Sequence, residues 1–263
     1  MVDFAGGLVV HGAAGAAGLG IMLQIWREER RDGHLTSPQM PFQPSLGWLT
    51  GAILLLWVGW FGFNPGSVLA FNQEAIVVVE TTFIAAAVAM TSTMTLQRLL
   101  SGHNPGPLYA VNGILIGLIV ITPLAGFVSP GGAFVLGVLA GPIFIVGERL
   151  FARSSWFADP VGLLPGHLLG GLFGIVMIPV FAQHSFAAAS GFPSLPDGLL
   201  FGGGSAAIHQ LGIESLGIVV VMITVFAISF ATVWMIELVM SRITTDYHLE
   251  HLPKAKVAEP THG

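Results

Sequence analysis

Long apolar runs, broken by short segments rich in proline, glycine and polar residues, organise this chain. A helix needs about 20 apolar residues to cross the hydrocarbon core of a bilayer. Seven such stretches are predicted, at roughly 4–26, 47–66, 75–97, 108–128, 132–150, 161–182 and 211–241. The breaks carry turn chemistry: Pro38, Pro41 and Pro44; Asn64-Pro65-Gly66; the run from His103 to Pro107; Ser129-Pro130-Gly131; Asp159-Pro160; and a Gly/Ser/Pro-rich stretch over 190–205. The last apolar stretch is longer than a bilayer needs, so it is expected to tilt or to extend into water. The pattern predicts an all-α integral membrane protein, with a membrane domain over residues 1–243 and a polar tail over 244–263.

Composition agrees. Charged residues are 9% of the 263 and mean hydropathy is +0.81, whereas a soluble domain carries roughly 25% charge. The formal net charge of −5 is spread thinly and gives no surface for nucleic acid. With no cysteine, disulfides and thiolate metal sites are excluded. Met1 is followed at once by Val-Asp-Phe, without the basic start and cleavage site of a signal peptide.

The basic residues orient the spans. Arg27, Arg30, Arg31, Arg98, Arg149, Arg153, Arg242, Lys254 and Lys256 all follow odd-numbered spans. The positive-inside rule then predicts a multi-pass plasma (inner) membrane protein with its N-terminus outside and its tail in the cytoplasm.

Two histidines fall inside this hydrocarbon, and an ionisable side chain there is costly and marks a functional site. His11 follows Asp3 by eight residues in D-F-A-G-G-L-V-V-H, and His167 follows Asp159 by eight in D-P-V-G-L-L-P-G-H. Each aspartate is predicted to cap the start of its span, with Pro160 in the first turn. Eight helical residues rise about 12 Å, against about 15 Å for half a hydrocarbon core. One histidine descends and the other ascends, so both are predicted near the midplane, as at an inverted-repeat interface. Bland alternatives are an imidazole bonded to a backbone carbonyl, or two axial ligands of a haem. His34, His103, His184, His209, His248, His251 and His262 lie in loops, near span ends or in the tail. Span 2 ends in G-W-F-G-F-N-P-G-S, with Trp60, Phe63 and Ser67 near one helical face. That face can attract a cation, or it can be an interfacial aromatic belt. Many small residues recur at four-residue spacing, among them Gly7, Gly15, Gly137 and Gly141, as tight helix packing requires.

These segments resemble the ammonium transporter (Amt) family of the Amt/Rh superfamily. D-F-A-G-G-x-V-V-H is similar to the signature at its fifth helix, and residues 59–67 to its sixth. Residues 112–133 resemble its eighth helix with the following turn, and D-P-x-x-x-x-P-x-H-x-x-x-G-x-x-G at 159–174 its tenth. The resemblance implies helices 5–11 of an 11-helix fold, built from two inverted five-helix repeats and a long last helix. It further implies a homotrimer with one pore per subunit, no cofactor, no metal and no enzymatic activity. His11 and His167 would be the twin pore histidines. Trp60 and Ser67 would belong to an outer recruitment site, and Phe63 to a pair of stacked gate phenylalanines. Asp3 and Asp159 would support the backbone around the site. Partners would be ammonium or ammonia and membrane lipid.

Departures from the family shape the expectation. The first four helices have no counterpart before Met1, and Gly12, Leu168 and Glu80 replace usual residues. The tail T-T-D-Y-H-L-E-H-L-P-K-A-K lacks the acidic family pattern, which weakens coupling to a PII-type regulator. The expected function is capture and deprotonation of ammonium, with ammonia passing the histidines. The cavity is expected to lie open on one side, and this chain alone is not expected to conduct. The competing readings are a non-transporting truncated member acting as accessory or sensor subunit, and a bis-histidine haem protein.

Overall fold

The structure, a computed structural model, describes residues 1–31, 45–153, 159 and 161–251, the last eight as helical backbone only. Two span-length helices open it, α1 (Gly7–Arg31) and α2 (Leu46–Gly66). Four more follow: α3 (Gln73–Ser101), α4 (Pro107–Leu124), α5 (Pro130–Ala152) and α6 (Leu164–Phe181). A short α7 (His184–Ala189) precedes the long α8 (Gly204–His251). Seven of these, all but α7, are long and apolar enough to cross a membrane. Among the described residues there is no strand.

Each predicted span has its helix, but the ends differ for local reasons. Helix α4 stops at Leu124 rather than 128, because Pro123 has no N–H to continue the ladder and Thr122–Leu124 tighten into a 3-10 turn. Helix α8 begins at Gly204, not 211, since polar residues such as Ser205, His209 and Gln210 lower the local hydropathy without opposing helix. It continues to His251 without a break at 243. At about 1.5 Å per residue, a helix of 48 residues far exceeds the bilayer core. The final residues 252–263 lie outside the described residues.

Helix α3 packs against both α4 and α5. Its buried Ala85, Ala86 and Ala89 leave a smooth face. Gly113 and Gly117 of α4 press on one side of it: a Cβ at Gly117 would stand 2.5 Å from the Ala85 carbonyl oxygen. Gly137 and Gly141 of α5 press on the other, where a Cβ at Gly141 would stand 2.7 Å from the Thr93 nitrogen. Without water to drive association, such backbone proximity supplies the dispersion that holds membrane helices together.

The segment after α6 closes one end. The Gln183 N–H donates to the Phe127 carbonyl at 2.8 Å, and the Ser190 hydroxyl to the Gly126 carbonyl at 2.8 Å. Phe4, Phe127 and Phe192 pack together there, with centroids 4.9 to 6.3 Å apart. The described arginines lie at the other end, near the C-terminal ends of α1, α3 and α5 and at position 242 of α8.

Helix α8 is held mainly through α1, with a smaller contact to α6. The buried Glu214 accepts the Val2 N–H at 2.9 Å and the Gln210 amide at 2.6 Å. Gly20 lies where a Cβ would meet Ser229 and stand 2.7 Å from the Phe226 carbonyl. Further along, buried Gln24 donates to Glu237 at 2.7 Å and to Glu28 at 3.1 Å. Gly20→Leu is expected to force α1 and α8 apart, at about 1–3 kcal/mol for an overpacked contact, and to lower the melting temperature in detergent. Gly51→Ala, on an open face of α2 with nothing within 4 Å, serves as the control and should leave it unchanged.

Candidate functional site

The two histidine segments start alike. Asp3 reaches forward with both oxygens: Oδ1 accepts the N–H groups of Gly6 and Gly7 at 3.2 and 2.6 Å, and Oδ2 those of Leu8 and Val9 at 2.9 and 3.2 Å. Asp159 accepts from Leu163 at 2.8 Å and Leu164 at 2.7 Å, also four and five residues ahead. Each aspartate thus caps the start of its helix as predicted, but across a reversed turn, and the predicted place of Pro160 in the first turn lies outside the described residues. Gly6 at φ +98° and Gly162 at φ +70° each insert a left-handed residue before the helix, and the carboxylate folds over that turn. A side chain other than glycine is strained there. Orphan N–H groups at a helix start have no water in hydrocarbon, so a carboxylate taking several of them is a strong solution.

Both helices then open with a wide turn, Gly7–Gly12 in one and Leu164–Leu168 in the other. The Ala13 N–H reaches back to the Leu8 carbonyl, and the Leu169 N–H to the Leu164 carbonyl, each five residues. Such i→i+5 turns are rare and concentrate at functional sites. The histidines sit on these turns.

Their rings meet. Nδ1 of His11 lies 3.2 Å from Nδ1 of His167, with ring centroids 5.2 Å apart. Two glycines make this possible. Gly15, four residues past His11, lies so close to Leu168 that a Cβ would stand 2.6 Å from its Cα. Gly171, four residues past His167, stands in the same relation to Gly12, with a Cβ 2.8 Å from its nitrogen and 3.2 Å from the His11 Cβ. Each glycine receives the residue that follows the other histidine, a two-fold relation between α1 and α6.

The contact sets the proton positions. One Nδ1 must donate and the other accept, since two N–H groups or two lone pairs would repel. In a neutral pair the donor ring therefore has a bare Nε2, and the acceptor ring an Nε2–H. The pair always offers one acceptor and one donor at its outer nitrogens. A proton added to the bare Nε2 can leave from the far Nε2 after the shared proton crosses the 3.2 Å gap. Nε2 of His11 is buried and has no hydrogen-bond partner among the described residues.

Trp60, Phe63 and Ser67 divide into two environments. Trp60 is 9% exposed and stacks on His11 at 5.4 Å and 17°. Its indole N–H donates to the Thr122 hydroxyl at 3.0 Å. Grouping Trp60 with Ser67 as one mouth is therefore not what the structure brings together. Phe63 lies between, 6.3 Å from the His11 ring, 5.7 Å from Trp60 and 39% exposed. The Ser67 hydroxyl, past the end of α2, donates to the Phe63 carbonyl at 3.1 Å. His11 is only 2% exposed and His167 partly buried, while Val9, Val10 and Phe63 beside them are exposed. A haem does not fit: iron between the rings would hold the nitrogens about 4 Å apart, and glycine backbone and Trp60 fill the space of a macrocycle.

Thr122 and the glycines at positions 6, 15, 162 and 171 are site residues that the sequence reading did not assign to the site. Superposing the two Asp-to-His segments would have found the glycines, since the pattern D-x-x-G-x-x-x-x-H-x-x-x-G-x-x-G runs through both. Gly171→Val is expected to push α6 off α1 and break the imidazole contact, seen as loss of the short Nδ1···Nδ1 coupling by ¹⁵N NMR, with about 1–3 kcal/mol lost in stability.

Comparison with known proteins agrees with this architecture. The family model described as Ammonium Transporter Family matches residues 1–261. An ammonium transporter of Bacillus subtilis is 32% identical over 245 residues, covering 93% of this chain and 56% of that protein. Ammonium transporter Amt1 of Archaeoglobus fulgidus is 36% identical over 211 residues, covering 80% and 50%. The crystal structure of Candida albicans Mep2 superposes with a TM-score of 0.74 at 25% identity, over 93% of this chain and 51% of that one. A structure described as a Sensor Amt Protein gives 0.72 at 27%, over 90% and 55%. The chain spans about half the length of the curated relatives it matches. It belongs to the ammonium transporter family.

Proposed function

We propose that this chain carries ammonium nitrogen across the plasma membrane, with His11 and His167 as the conduit. The observation that carries the reading is the direct contact of two imidazoles in the membrane interior, at 3.2 Å. Moving an ammonium-sized ion into a dry interior costs on the order of 20 kcal/mol in the idealised Born limit. Neutral ammonia avoids that cost. Its N–H groups can donate to the bare Nε2 of the pair, and its lone pair can accept from the other Nε2–H. The proton left behind can follow through the shared hydrogen bond. Phe63 and Ser67 form the approach from the end at which α2 terminates, where an aromatic face and a hydroxyl oxygen suit an N–H cation. The gathering of the described arginines at the opposite end supports reading this end as the outer one.

A second reading, a non-conducting sensor, is favoured by the likeness to the Sensor Amt Protein. Ammonium uptake by proteoliposomes of the 263-residue chain separates the two, and also tests the expectation from the sequence that this chain alone does not conduct. Transport predicts uptake that His11→Ala or His167→Ala slows tenfold or more, about 1.4 kcal/mol of barrier. Uptake unchanged in both variants would sink the conduit, and saturable ammonium binding without uptake would favour the sensor.

A further inference from the structure

Thr122 stands outside the histidine pair, yet its hydrogen bonds are directed at it. Helix α4 tightens as it reaches Pro123: the Thr122 N–H bonds the Ile119 carbonyl instead of the Leu118 carbonyl. The Thr122 hydroxyl replaces the lost donor, giving its proton to the Leu118 carbonyl at 2.7 Å. That leaves the hydroxyl oxygen as an acceptor only, and the Trp60 indole N–H takes it at 3.0 Å. Both groups are buried, and the donor and acceptor roles follow without choice. The indole is also seated against Ile114, Leu118 and Ile119 of α4. Its face then lies nearly parallel to His11, at 5.4 Å and 17°.

We infer that Thr122 is a positioning residue: through the Trp60 N–H it fixes the indole plane, and through that plane the orientation of the His11 imidazole against His167. An indole pinned only by apolar packing can pivot about its χ angles. One buried hydrogen bond at its edge removes that freedom, because leaving the N–H unpaired is costly. A face held parallel to the imidazole also favours the ring when it carries the relayed proton, by the attraction of a cation to a π surface. The same turn straps the start of α1: the Phe4 N–H donates to the Pro123 carbonyl at 3.0 Å and the Ala5 N–H to the Thr122 carbonyl at 3.2 Å. One turn of α4 thus holds both the segment that carries His11 and the ring that covers it. The consequence for transport rests on the proposed function; the positioning itself does not.

The test uses the full chain in lipid nanodiscs with ¹⁵N-Trp and ¹³C-His labels. Thr122→Val keeps the shape and removes the hydroxyl; Thr122→Ser keeps the hydroxyl. Thr122→Val should accelerate exchange of the Trp60 indole proton about tenfold or more and remove the ring-current shift of the His11 ring protons. Thr122→Ser should restore both. In a Trp60→Phe background, which has no N–H to hold, Thr122→Val should no longer move His11. If Thr122→Val destabilises the chain while indole exchange and His11 shifts stay as in the parent, Thr122 serves only the end of α4 and the inference falls. If His11 moves equally in the Phe background, the route through Trp60 is wrong. Ammonium uptake, read in parallel, separates the two claims. A moved His11 with slowed uptake supports both. A moved His11 with unchanged uptake leaves the positioning standing and counts against the pair as conduit.

Discussion

A helix start carries N–H groups with no partner inside the helix, and the structure depends on how two aspartates satisfy them. Asp3 takes four such groups, and Asp159 takes two. A carboxylate that reaches four and five residues forward must fold over a reversed turn, which is why Gly6 and Gly162 occupy left-handed backbone. The same reach lets each helix begin with a wide turn rather than a regular one, and those turns carry the imidazoles. The ionic cap, the glycine, the wide turn and the histidine form one device, used twice and pointed in opposite directions.

Opposed devices need a close meeting, and side-chain volume at the crossing would prevent it. Gly15 and Gly171 remove that volume, each at the point where the other helix passes. The distance between the histidines is thus set by backbone contact rather than by flexible side chains. Backbone contact is stiff, so the rings stay within hydrogen-bonding range without a partner to pull them together. That stiffness is also what a proton relay requires, because a gap that opened by 1 Å would interrupt it.

The histidine pair was legible in the sequence because its signal is chemical: ionisable groups are rare in apolar spans, and equal spacing from two aspartates predicts equal depth. Helix positions were legible for the same reason that apolar runs are, while their ends were not. Pro123 shortens α4 through a missing N–H, and the polar start of α8 hides a helix from a hydropathy count. The helical face shared by Trp60, Phe63 and Ser67 did not reveal that the Trp60 ring lies over His11. Nothing in the local sequence ties Trp60 to Thr122, 62 residues away. That hydrogen bond exists only because α2 and α4 pack side by side, a tertiary fact with no periodicity to announce it.

Among the described residues, the groups that set the geometry of the pair are spread over four helices: Asp3, Gly15 and His11 of the α1 segment, Trp60 of α2, Thr122 of α4, and Asp159, His167 and Gly171 of the α6 segment. The surface beside the pair is another matter. Val9 and Val10 are 60% and 43% exposed and Phe63 is 39% exposed, so one flank of the site faces outward from the described helices. In a membrane that flank is covered by lipid or by protein. The contact of the two imidazoles is thus built from the packed side, where α1, α2, α4 and α6 meet, while the exposed Val9, Val10 and Phe63 border the other side.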